Sequence, residues 1–157
     1  DNGSDFIIKP GLVIGNGGLF YDMLKFIKKW KAVPVIDGGK QFLQSVCIED
    51  LVKTVEISLA HDINGVCYLA SDEKVTYKEF YDSIFEKLKL KPIFIPIPYR
   101  FLMAGIYLSD FLHVKLPVSK DTLLGLKHLK FQEVSESLKH LGVQPLSYRE
   151  ALEKLGF

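Results

Sequence analysis

The sequence has 157 residues, 48% of them apolar and 25% charged, with a net charge of +1. One domain of that length can bury a real core, and the near-neutral balance gives no reason to expect nucleic acid or an anionic membrane as the main partner. Of the twenty basic residues only Arg100 and Arg149 are arginine, which excludes dense bidentate clamping of phosphates.

In chain order, Phe6 to Lys9 is an apolar run read as a short buried strand closed by Pro10. Three glycines follow, Gly15, Gly17 and Gly18, and they are expected to turn the chain through positive φ ahead of a helix. The helix predicted over Leu19 to Trp30 places Leu19, Met23, Phe26, Ile27 and Trp30 on one inward face, with Lys25, Lys28 and Lys29 outside. Ala32 to Ile36 is a second extended segment, and Asp37-Gly38-Gly39 a turn. "LQSVCI" reads as a strand. Glu49 and Asp50 then open a helix whose inward residues are Leu51, Val52, Val55 and Leu59, the two carboxylates complementing free amides at its start.

"GVCYLA", Gly65 to Ala70, is a third strand. Thr76 with Glu79 has capping-box spacing ahead of a helix over Tyr77 to Leu88. "PIFIPIP" is extended and broken by prolines. Helix is expected from Phe101 to about Phe111 and around Lys120 to Lys127. Two last short helices cover Ser135 to Leu141, stopped by Gly142, and Ser147 to Leu155, capped by Ser147 and Glu150. The alternation in the first two thirds argues an α/β chain with partly parallel pairing. About four strands and an all-helical tail make too little sheet for a self-contained doubly wound domain, so residues 1–157 read as a single domain or a fragment of something larger.

Several chemistries are weighed and set aside. Cys47 and Cys67, each inside an apolar run, read as buried free thiols of a cytoplasmic protein. No basic-then-apolar leader pattern is visible at the start. The greasiest stretch, "PIFIPIPYRFLMAGIYL", carries three prolines and Arg100 and is not a transmembrane helix. His61, His113, His128 and His140 are far apart, so no metal site is expected. Gly15-Asn16-Gly17 has Phe20 where a dinucleotide fingerprint needs its third glycine. Tyr21-x-x-x-Lys25 looks like a dehydrogenase pair, yet both residues sit one turn apart where a helix surface needs such residues anyway.

Taken together, the local patterns resemble the extended and atypical short-chain dehydrogenase/reductases, the NAD-dependent epimerase/dehydratase group. "FIIKPGLVIGNGG" is similar to that family's hydrophobic-Ile-Arg-Pro-Gly stretch, with Lys9 in place of the arginine. "VPVIDGGKQFLQSVCIEDLVKTVEISL" resembles its next segment, although apolar Phe42 and Leu43 stand where many sugar-nucleotide members carry a phosphate-binding arginine. "GVCYLASDEKVTYKEF" and "LGVQPLSYREALEKL" resemble its Tyr-containing strand and its C-terminal helix.

The resemblance implies the C-terminal, substrate-side portion of a Rossmann-like NAD(P)-binding fold, few strands plus a helical tail. The cofactor-binding half and its catalytic Tyr-x-x-x-Lys would lie upstream and act as its partner. It implies NAD or NADP in the parent protein, no cofactor for this chain alone and no catalytic residue in it. The implied contacts are Pro10 and Val13 near the nicotinamide, and Lys40, Gln44, Tyr99 and Arg100 around a small-molecule substrate, a nucleotide sugar or a related carbonyl or alcohol. A homo-oligomer is an expected possibility, through the open edge of the Phe6 strand. The alternative is a non-catalytic cofactor-binding or assembly module, similar to a NADH dehydrogenase accessory subunit.

Overall fold

The computed structural model describes residues 6–61, 63–101 and 131–156; the helices expected near 102–111 and 120–127, with His113 and His128, lie outside them. β1 (Phe6–Pro10) and β2 (Leu12–Ile14) form one extended run interrupted only at Gly11. Its two halves take different partners. β1 pairs in parallel with β6 (Gly65–Leu69), from Phe6 opposite Gly65 to Pro10 opposite Leu69, while β2 pairs in parallel with β5 (Ser45–Cys47). At the switch the Gly11 N–H donates to the Leu69 carbonyl at 3.0 Å, and the next amide, Leu12, donates to Gln44 at 2.9 Å. The Ser71 N–H closes the junction onto the Ser45 carbonyl at 2.7 Å. A Cβ on Gly11 would stand 2.4 Å from the Gln44 carbonyl oxygen, so only glycine allows the strands to meet this closely.

Two further pairs complete the described sheet structure. β3 (Ala32–Ile36) runs parallel to β8 (Ile93–Ile97), and β4 (Phe42–Leu43) antiparallel to β7 (Val75–Thr76). Partly parallel pairing is therefore observed, with more and shorter strands than the four expected. β2 and β5 form a partition. Ile14 and Cys47 face a core with Phe20, Leu24, Val33, Phe80 and Phe85, while Val13 and Val46 face a second core with Cys67, Leu69, Leu141 and Val143. A strand pair covered on both sides needs apolar residues at successive positions, which Val46 and Cys47 supply in β5 and "LVI" in β2.

Helices α1 (Gly18–Trp30), α2 (Ile48–Ala60), α3 (Tyr77–Lys87), α4 (Ser135–Leu141) and α5 (Tyr148–Lys154) have the expected order and nearly the expected ends. The local stop and start signals explain this. Thr76 Oγ1 accepts the Glu79 N–H at 3.2 Å while Glu79 Oε2 accepts the Thr76 N–H at 2.8 Å, and Ser147 and Glu150 repeat the exchange at 3.2 and 2.9 Å. These bonds, led by the Thr76 backbone for Glu79 and by the Ser147 hydroxyl for Glu150, hold both carboxyls below the ordinary range. Gly142, at φ +61, ends α4. Of the three glycines only Gly18, the first residue of α1, has positive φ, at +65; Gly15 packs against Ile48, whose side chain a Cβ there would meet at 3.2 Å.

The expected inward faces of two helices are corrected. α1 buries Phe20, Leu24 and Ile27, with Met23 beside them, whereas Leu19 and Trp30 are 77% and 60% exposed and Phe26 is exposed too. The helix carries two apolar stripes, and the one at 20, 24 and 27 meets β2 and β3. α2 turns Thr54 and Ser58 inward with Leu51 and Ile57 and leaves Val52, Val55 and Leu59 outside. Its buried hydroxyls are satisfied within the helix, Thr54 donating to the Asp50 carbonyl at 2.7 Å and Ser58 to Val55 at 2.8 Å, so burial costs them little. Outward on the sheet, Ile7 and Val66 are about half exposed, so the Phe6 strand, read as buried, is only partly covered in this chain.

Glu49 and Asp50 lie in the first turn of α2 as expected. The Asp50 carboxylate also reaches beyond its helix: Oδ2 accepts the N–H of Leu146 at 2.9 Å, tying the start of α2 to the segment that leads into α5. Glu49 makes a parallel surface link to Lys154. Two variants test these constraints by denaturant unfolding. Gly11→Ala is expected to lower stability by about 1–3 kcal/mol, because backbone must move to relieve the clash. Asp50→Ala is expected to cost about 1–3 kcal/mol by orphaning the Leu146 amide, with Asp50→Asn milder because it keeps an acceptor.

Candidate functional site

Where β1 ends and the chain crosses into β2, a cavity of about 360 Å³ opens, within the range of small-molecule sites. It lies at the carboxyl ends of β1 and β6, beside strands whose partners diverge, the position at which parallel sheets leave a crevice for ligands. One wall is the switch itself, Lys9 to Leu12. Phe42, Leu43 and Gln44 also line it, Gln44 next to the switch through the Leu12 hydrogen bond, together with Tyr68, Leu69 and Ala70 from the end of β6. Tyr77, at the start of α3, and Gln132 and Val134 complete the lining.

The Gln132 side is held by an unusual device. The side-chain amide of Gln44 acts as a strand backbone would, Nε2 donating to the Gln132 carbonyl at 3.0 Å and Oε1 accepting the Gln132 N–H at 2.8 Å. Beside it the Phe131 ring packs edge-on to Phe42 with centroids 6.4 Å apart, and Lys74 Nζ lies 5.3 Å from the Phe131 centroid.

At the other side, Tyr77 donates its backbone N–H to the Gln41 carbonyl at 2.9 Å. Burial raises its phenol pKa, so the hydroxyl stays protonated near neutrality and can both donate and accept. Tyr81, its ring 6.2 Å away, is pushed up to about 12, first by burial and then by the neighbouring Tyr77. Lys9, next to last in β1, holds its Nζ 5.2 Å from the Tyr68 ring centroid.

Of the residues expected at a site, Pro10 and Gln44 line this cavity together. Val13 does not; it pairs with Val46 and packs into the second core. Lys40 is exposed just after the turn at Asp37–Gly39. Tyr99 and exposed Arg100 follow β8 at another corner, where the Tyr99 N–H donates to Asp37 Oδ1 at 3.1 Å. None of these three is among the described lining residues. Tyr68, Tyr77 and Gln132 were not anticipated: Tyr68 alternates outward in β6, Tyr77 lies behind its capping threonine, and Gln132 carries no local motif.

The other candidates have ordinary partners. Tyr21 and Lys25 are exposed on α1, with Lys25 Nζ 2.6 Å from Asp22 Oδ1 and 4.7 Å from the Tyr21 ring centroid. The hydrogen bond that Lys25 donates to Asp22 raises the Lys25 pKa, the opposite of what an activated lysine needs. Both cysteines are free and buried, and burial pushes the Cys67 thiol up, opposed in part by Ser137. His61 Nδ1 bonds the Ile57 carbonyl of its own helix. Among the described residues no group of three or more His, Cys, Asp or Glu could hold a metal ion, and no helix is long and apolar enough to cross a membrane.

No protein-family model and no curated protein matches the sequence. Solved structures do. MoeE5, in complex with UDP-glucuronic acid and NAD, superposes with a TM-score of 0.65 at 15% identity, covering 96% of this chain and 45% of its own. UDP-glucose 4-epimerase from Thermotoga maritima, with UDP-glucose, gives 0.63 at 14% over 94% of this chain and 43% of its own. The human epimerase family protein SDR39U1, with NADPH, gives 0.54 at 25% over 87% and 47%. This chain spans less than half the length of each.

The raised phenol next to the cavity has a measurable consequence. Because folding raises the Tyr81 pKa above its ordinary 10.0, the folded state holds the proton more tightly. Its contribution to stability is complete below about pH 10 and is lost as pH rises toward about 12. Unfolding followed by tyrosinate absorbance is expected to show stability falling across that window, and Tyr81→Phe to flatten the fall.

Proposed function

This chain has the fold of the C-terminal part of Rossmann-like NAD(P)-dependent epimerase and short-chain dehydrogenase/reductase structures, and from that premise we propose that it is the substrate-side portion of an NAD(P)-dependent epimerase, dehydratase or reductase. The substrate is a nucleotide sugar or a related carbonyl or alcohol compound. The observation that carries this reading is the cavity at the Pro10–Gly11 switch, at the carboxyl ends of two parallel strands.

The chain's own residues fit one end of a dinucleotide only. Ahead of α1 the third fingerprint glycine is Phe20, and Ile48 fills the space in front of Gly15. At the strand switch, by contrast, Pro10 offers a rigid wall against which a nicotinamide would lie, with Val13 behind it in the core. The cofactor, when bound, accepts and returns a hydride. What this chain contributes is position and shelter. Gln44 fixes the Gln132 wall, the Tyr77 hydroxyl offers the substrate a hydrogen bond, and Leu69, Ala70 and Val134 shelter the cavity from water. Lys40, Tyr99 and Arg100, outside the cavity, belong in this reading to the distal part of a longer substrate.

Two measurements test the proposal. The chain alone is expected to show no calorimetric binding of NADH at millimolar concentration. A dissociation constant below about 10 μM, near −7 kcal/mol, would mean that it carries a dinucleotide site of its own. In a longer protein that joins this sequence to a nucleotide-binding half, Gln132→Trp is expected to fill the cavity and abolish turnover, while Tyr21→Phe leaves turnover nearly unchanged. A general acid or base is worth about 10²–10⁴-fold, so a loss of that size from Tyr21→Phe would move the chemistry to α1. A joined protein that binds NAD(P) with no turnover on any carbonyl or alcohol would favour the non-catalytic module.

A further inference from the structure

The lining of the cavity is poorly suited to a polyhydroxylated ring. Ring hydroxyls are held most strongly by the charged acceptors of Asp and Glu side chains, and neither residue type is among the described lining residues. The Glu73 carboxylate, on the far side of Leu43, is turned into a separate closed space with Ser45 and Ser71, where it accepts the Tyr148 N–H at 3.1 Å. The Gln44 amide is already committed to the Gln132 backbone. Among the described lining residues the side-chain polar groups left to a ligand are the Lys9 ammonium, the Tyr68 and Tyr77 hydroxyls and the Gln132 side chain, beside aromatic and aliphatic side chains.

The charge is equally one-sided. Lys9 is the sole ionised group among the described lining residues. It has no carboxylate partner among the described residues; its contact is the Tyr68 ring, 5.2 Å from Nζ to centroid. A cation resting on an aromatic face at the edge of an apolar cavity is held in place without being neutralised, so it is available to an anion that brings apolar surface with it.

We propose that the cavity takes a compact organic carboxylate, its ring or chain against Phe42, Tyr68 and Tyr77 and its carboxylate on the Lys9 ammonium, in preference to an uncharged or sugar ring. This rests on the reading that the cavity is the substrate site, and it narrows the substrate to a carboxylate-bearing compound with an apolar body. Lys9 is then the residue that selects for charge, and the aromatic residues select for the body.

The test is a titration of the full chain, followed by the backbone amide signals of Gly11, Leu69, Ala70 and Gln132, with three probes. These are 2-naphthoate, its neutral isostere 2-naphthamide, and glucuronate, which carries the same charge on a hydroxylated ring. Saturable shifts with 2-naphthoate are expected, with 2-naphthamide and glucuronate each bound about tenfold or more weakly, the scale of one charge-assisted hydrogen bond. Lys9→Gln, at an exposed position, is expected to keep the melting temperature and to bring 2-naphthoate down to the level of 2-naphthamide. Equal binding of the acid and the amide, or unchanged 2-naphthoate binding by a folded Lys9→Gln, overturns the inference and leaves the cavity as a substrate site. Tighter binding of glucuronate than of 2-naphthoate overturns it in favour of a sugar acid. Failure of all three probes to shift any of these amides overturns this inference and the substrate-site reading together.

Discussion

The structure depends on the missing side chain of Gly11. One extended run serves two sheets because its amides change partner there, from Leu69 to Gln44 in consecutive residues. The change is possible only if the run comes close enough to the Gln44 carbonyl that any Cβ would collide with it. A strand that leaves one partner for another must open a gap on the side it leaves, and the cavity is that gap. The same residue thus divides the two cores and creates the crevice between their strands.

Around the switch the chain uses side chains in place of backbone. Asp50 caps the Leu146 amide, and Gln44 stands in for a strand beside Gln132. Each satisfies polar groups that no regular ladder reaches, which is why short strands pairing by twos leave few orphaned donors. Among the described residues no buried side-chain nitrogen or oxygen lacks a partner.

What was legible in the sequence was local. Helix ends at Thr76, Gly142 and Ser147 follow from groups within three residues of one another, so reading them needs no knowledge of the fold. The parallel character followed from the order of apolar runs, and Pro10 and Gln44, which family-like patterns set near a nicotinamide and a substrate respectively, are brought together in the lining of one cavity. The helix faces were not legible, for a physical reason. α1 and α2 each carry two stripes that could face inward, and on α2 the buried one includes Thr54 and Ser58 while valines lie outside. On α2 hydropathy ranks the stripes the wrong way round, because it cannot know that the hydroxyls find carbonyls in their own helix. Tyr77 and Gln132 escaped for a different reason: their place at the cavity depends on contacts between distant segments, and no spacing records that.

The same long-range ties have a kinetic consequence. Gln44 and Gln132 are 88 residues apart, Asp50 and Leu146 are 96, and Glu49 and Lys154 are 105. Closing loops of that span costs roughly 2 kcal/mol more entropy than closing ten-residue ones. The pairings among β1 to β8 close over shorter stretches, so docking of 131–156 onto residues 44–50 is expected late in folding. The part of the molecule that would hold a ligand is thus the last to be walled in. A compound filling it would act on the final closing step, stabilising the completed fold in proportion to its concentration.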